Sequence, residues 1–128
     1  MTVAGGLIAE SLKVGAILDV ELHVKRISRA DVGDVDAGQP RTWTFIDFEV
    51  ADTDLEQLVD GLERALETRG GWYCDFRTAT ETFVVFSGRT FHYPRGDHAG
   101  RAAAADYARS VGVPEAQLDW PEESRPSR

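Results

Sequence analysis

Between residues 17 and 27 the chain alternates: Leu18, Val20, Leu22 and Val24 project one way, and Asp19, Glu21, His23 and Lys25 the other. A period of two marks a strand with one dry and one wet face. Residues 28–40, SRADVGDVDAGQP, drop the pattern for Asp and Gly, which predicts a loop. Residues 41–50 resume it, with Thr44, Ile46, Phe48 and Val50 on an uncharged face and Trp43, Phe45, Asp47 and Glu49 on a mixed one. The two strands make a hairpin with a long loop.

The period then changes. Over residues 52–68, Leu55, Leu58, Val59, Leu62, Ala65 and Leu66 fall on one helical stripe. Asp52 or Thr53 can cap it, and Gly70 and Gly71 stop it. A second helix is predicted over residues 98–110, capped by Asp97, with Ala104, Tyr107, Ala108 and Val111 inward and Gly112 and Pro114 beyond its end. Residues 114–120 add one turn, anchored by Leu118 and Trp120. A short helical piece is expected around residues 7–12.

Residues 71–97 read as three consecutive strands. Ser87-Gly88 is a two-residue hairpin turn, because Gly tolerates positive φ. It pairs Phe86 with Arg89, Val84 with Phe91 and Phe83 with His92. Placing Cys74 in one core with Val84, Phe86 and Phe91 pairs Cys74 with Val84 and Asp75 with Phe83. The reverse face then shows Tyr73, Asp75, Phe83, Val85, Thr90 and His92, with Asp75 and His92 two strands apart. Trp43 and Phe45 extend that face into an aromatic set.

The element order β-β-α-β-β-β-α predicts an α+β fold: a mainly antiparallel sheet of about five strands, with two helices packed on one face. A helix between the second and third strands allows one crossover. Residues 1–120 form a single domain and 121–128 a frayed tail.

Composition narrows the function. The chain has 128 residues and a formal charge of −8, from 22 acidic and 14 basic residues. Its cations are dispersed along the sequence, which argues against nucleic acid as a partner. A single cysteine, Cys74, excludes an internal disulfide framework, and it points into the core, where a thiol is a poor nucleophile. No apolar run spans a membrane, and the N-terminus has neither a basic start nor a long apolar core; a cytoplasmic protein is expected.

Candidate motifs have simpler readings. Asp31, Asp34, Asp36 and Gly38 miss the order and closing Glu of a calcium loop. In Arg95-Gly96-Asp97, Gly96 turns the chain and Asp97 caps a helix. His23, His92 and His98 fall on separate elements, so neither a metal nor another cofactor is expected. Arg77, Arg89, Arg95 and Arg101 could converge on an anion, or pair separately with nearby carboxylates. The segments GWYCDF, TFVVFSGRTFHYPRGD and VGVPEAQLDW resemble those of a family of small bacterial proteins of unknown function. The resemblance runs from about Ser11 to Trp120. It implies one compact domain and carries no activity, ligand or functional residue.

The expectation is therefore a non-catalytic binding or protein-interaction domain using the aromatic second face: Trp43, Phe45, Asp47, Tyr73, Asp75, Phe83 and His92. A homodimer, a protein partner or a small-molecule ligand would occupy it. The alternatives are a small enzyme with a carboxylate, Tyr and His pocket on that face, and an acidic inhibitor or immunity protein for a basic partner.

Overall fold

The computed structural model describes residues 2–33 and 39–120. The predicted tail at 121–128, and Asp34, Asp36 and Gly38 of the calcium-like loop, lie outside the described residues. The fold is α+β. Strands β1 (Thr2–Ile8), β2 (His23–Asp31), β3 (Thr42–Ala51), β4 (Cys74–Arg77), β5 (Glu81–Phe86) and β6 (Arg89–Pro94) form one sheet. Its order is β2-β3-β1-β4-β5-β6, antiparallel throughout. Helices α1 (Leu55–Ala65) and α2 (His98–Ser110) accompany it.

The N-terminal segment is a strand, not the short helix expected around residues 7–12; only Ala9–Ser11 makes a single tight turn. β1 sits at the centre, pairing Gly5 with Phe48 on one side and with Phe76 on the other. Chain order runs β3, α1, β4, so the connection through α1 passes β1, the crossover the order of elements allowed, and residues 9–22 make a second one past β3. β2 begins at His23 and continues to Asp31. Leu18, Val20 and Leu22 instead lie before the strand and pack on the core beneath α1.

The two helices lie on opposite faces of the sheet, correcting the expectation that both share one. Leu58, Leu62 and Leu66 pack with Val3, Leu7, Phe48, Val50, Cys74, Phe76, Phe83 and Val85. Ala104 and Ala108 pack with Tyr73, Val84, Phe86 and Tyr93 on the other side. The physical reason is in β5, where Phe83, Val84, Val85 and Phe86 are all buried. An unbroken apolar run belongs to a strand covered on both faces. Burying Leu58, Leu62 and Leu66 stabilises by roughly 1.5–3 kcal/mol each before entropy is counted.

Local expectations around α2 hold except at Val111, expected to point inward, which instead is 37% exposed at the C-cap. Asp97 caps α2 by accepting from the Gly100 N–H at 3.2 Å. Gly112 takes φ of 92° just beyond the helix, and Gly88 takes 72° in the β5–β6 turn. Residues Glu115–Gln117 form the extra turn. Trp120 then returns to the sheet: its Nε1 donates to Tyr93 Oη at 2.8 Å, and the Arg101 guanidinium lies 4.7 Å from its ring centre.

Candidate functional site

The β5–β6 register is the expected one, with Val84 opposite Phe91 and Phe83 opposite His92. The β4–β5 register is shifted by one residue. Cys74 pairs with Val85, Asp75 with Val84 and Phe76 with Phe83. Thr78 fixes this: its N–H donates to the Glu81 carbonyl at 2.9 Å and its hydroxyl accepts from the Thr80 and Glu81 N–H groups. A one-residue slip moves every side chain to the other face. Cys74 stays buried, but the candidate set divides. Trp43, Phe45, Asp47, Tyr73 and Asp75 share the α2 side; Phe83 and His92 are on the α1 side.

Each candidate has a partner within its own chain. Trp43 is 3% exposed, 5.1 Å from the Trp72 ring, and donates through Nε1 to the Pro40 carbonyl. Phe45 lies half-buried beside it. Tyr73 packs edge-on to Trp120 and donates its hydroxyl to the Gln117 carbonyl. Phe83 is stacked between Phe76 and the exposed His92, which sits 2.9 Å from Glu81. Helix α2 and residues 113–120 thus cover Tyr73, Phe86 and Tyr93, while Trp72 and Ile8 cover Trp43.

The charged candidates are also engaged. Asp75 accepts from Arg77 Nη2 at 2.5 Å, and both side chains are 1% exposed. Asp47, across Gly6 from Asp75, accepts from Arg26 Nε at 3.1 Å. Arg77, Arg89, Arg95 and Arg101 do not converge. Arg89 lies over the Phe91 and Tyr107 rings, Arg95 donates to the Ala79 carbonyl, and Arg101 donates to the Trp120 carbonyl. Among the described residues no group of three His, Cys, Asp or Glu could hold a metal ion. No described helix is long and apolar enough to cross a membrane.

What remains uncovered is the outer edge at β2. All nine of its residues are exposed. Val24, 44% exposed, and Ile27, 62% exposed, follow the exposed aliphatics Val14 and Ile17. Among the described residues, four of the five exposed large aliphatics therefore come from residues 14–27, the fifth being Val111. A bulge between Val24 and Arg26 breaks the pairing with β3 at Lys25. This surface was hidden from sequence reading because the alternation starting at residue 17 placed the strand six residues early. The run VKRIS, with aliphatics three apart, was the available signal for a bulge.

Glu10 ties this end of the sheet to β1. Its carboxylate accepts from the Thr44 N–H at 2.6 Å and the Thr44 hydroxyl at 2.9 Å, and Arg29 Nε donates to that hydroxyl. Desolvation opposes its ionisation, but the Thr44 bonds and the nearby Arg29 charge outweigh it and hold the carboxyl below its ordinary range. A depressed folded-state pKa adds stability above the unfolded value, near 4.3, that is lost as pH falls through the folded one. Glu10→Gln should therefore cost about 1 kcal/mol at neutral pH, discounted for partial exposure. Urea midpoints of the two proteins should converge on acidification below pH ~4.

No family model, curated protein or solved structure matches this chain. That is in keeping with a resemblance that carries no activity. Function must come from the surface itself.

Proposed function

We propose that this is a cytoplasmic, non-catalytic protein-interaction domain that docks an extended segment of a partner protein along β2. The observation that carries the reading is the concentration of exposed aliphatics on and just before a nine-residue edge strand. A long open edge offers unpaired N–H and C=O groups to an incoming strand, while pockets beside alternate side chains give specificity. The rings of the second face are occupied by their own chain, which moves the docking surface from those rings to the edge. Phe45 and Asp47 remain its neighbours through the β2–β3 pairing.

The opposite edge differs. β6 is six residues long, ends in Pro94 and buries Tyr93. At β2 the protection is of another kind: a bulge at Lys25 and the cations Lys25, Arg26 and Arg29. Such devices work against self-pairing. In an antiparallel self-pair centred on Ile27, Lys25 would face Arg29 of the second copy. Like charges directly opposite are destabilising, whereas carboxylates on a different partner would be favoured. The charge changes sign towards the start of the strand, where Glu21, Glu49 and Asp54 line a groove around His23. A partner segment complementary to both regions is acidic in its middle and basic at one end.

Selection from a library of displayed peptides on the immobilised domain tests this. Enriched sequences should alternate aliphatic and acidic residues, and binding should fall at least tenfold with Ile27→Asp or Arg29→Glu, about 1.4 kcal/mol. Enrichment unaffected by either change, or a stable dimer in solution that Ile27→Asp dissociates, would overturn the assignment.

A further inference from the structure

At the other end of the molecule, where the C-terminus of α2 meets the β5–β6 turn, a partly enclosed cavity of about 110 Å³ is walled by Trp72, Phe86 and Tyr107, with Glu67, Thr68 and Ser87. Phe86 and Tyr107 meet edge to face, 4.9 Å between centres at 74°, so two walls stand nearly at right angles. Trp72 and Phe86 are buried and belong to the packed interior. Glu67 is fixed by its backbone N–H, which donates to the Ser11 carbonyl at 2.7 Å. Its carboxylate makes no hydrogen bond or ion pair with the described residues.

We infer that this cavity is a binding site for a methylated ammonium group, such as the head of choline or betaine. Three physical points converge. Aromatic faces attract a cation through their quadrupole, and recognition of quaternary ammonium by several rings is the best-attested use of that force. A wholly apolar ligand would have to desolvate the Glu67 carboxylate with no compensating charge. The lining is polar at Glu67, Thr68 and Ser87 and aromatic at Trp72, Phe86 and Tyr107, and a methylated ammonium, with a charged centre and a carbon surface, matches both. Size agrees: a protein cavity of about 150 Å³ holds benzene, so this one takes roughly four or five heavy atoms, the size of a trimethylammonium head. Arg89 lies between Phe91 and Tyr107, 5.1 Å from the latter's centre, and is not part of the cavity wall. The site is independent of the β2 edge, so the two readings can fail separately.

The test is titration of the full chain with choline, followed by NMR of the Trp72 and Tyr107 ring signals. The control is 3,3-dimethyl-1-butanol, which has the same shape and no charge. Choline should bind at least tenfold more tightly than the alcohol. Glu67→Gln should weaken choline roughly five- to tenfold while leaving the melting temperature unchanged. Tyr107→Leu, at a half-buried position, should remove binding in a protein that still folds. A peptide carrying trimethyl-lysine forms a second arm: tighter binding than choline assigns a modified protein as the source, weaker binding a free small molecule. Equal binding of choline and the alcohol, or no ring shift with choline at roughly 100 mM, overturns the inference.

Discussion

Asp75→Leu is expected to destabilise the domain by about 3–5 kcal/mol, the cost of leaving one member of a buried ion pair without its counter-charge. Arg77 is the residue left behind, with its side chain 1% exposed. With a urea slope of about 2 kcal/mol per molar, the midpoint should fall by roughly 2 M. The double change Asp75→Leu with Arg77→Met should recover most of the loss, because an apolar pair of similar volume needs no compensation. The cycle also separates two roles for Asp75. A carboxylate kept for a partner would lose binding and leave stability alone. One kept for packing would do the reverse, and its complete burial favours that outcome. A double variant as unstable as the sum of the single ones would count against it.

What could be read in the sequence was whatever local chemistry determines. The α1 stripe follows from spacing, the α2 start from the carboxylate of Asp97, and the β5–β6 register from a turn in which only Gly88 suits a φ of 72°. What could not be read was whatever depends on which faces are covered. The expected register rests on Cys74 sharing a single core with Val84 and Phe86. With apolar layers on both faces, Val84 and Val85 are equally acceptable partners for Cys74, and hydrophobicity no longer selects between them. The Thr78 turn decides instead, through hydrogen bonds that an Arg-Thr-Ala-Thr-Glu run does not advertise. The candidate site inherited that slip: Phe83 and His92 were placed with Asp75 and are separated from it by the thickness of the sheet. β1 was missed for a related reason. Its segment TVAGGLI carries two glycines, residues depleted in strands, and here they are tolerated because neighbouring backbones approach closely.

Gly5 is where that approach is closest, and Gly5→Val should be the most damaging single change in the sheet. A Cβ built there would lie 2.5 Å from the Cβ of Phe76 and 2.7 Å from the Asp75 carbonyl oxygen. Neither neighbour can yield cheaply: Phe76 is fully buried among the α1 leucines, and Asp75 is held by Arg77. β1 cannot shift the other way, because Val3 and Leu7 are set in the same core and the strand is laddered to β3 over its whole length. Overpacking of this kind costs typically 1–3 kcal/mol and more where backbone must move, against a gain of about 0.4–1 kcal/mol from stiffening the unfolded chain. We expect Gly5→Ala to lower stability by about 2 kcal/mol and Gly5→Val to leave little folded protein at 37 °C. Gly33→Ala, at a site with open space around it, serves as the neutral control. The loss should have a direction: among the described strands, β1 makes the hydrogen-bonded link between β2–β3 and β4–β6. Hydrogen exchange in Gly5→Ala should therefore quicken across β3 while the β5–β6 amides retain more of their protection. Wild-type stability in Gly5→Val, or uniform exchange across both halves, would mean that β1 does not hold the centre of the sheet.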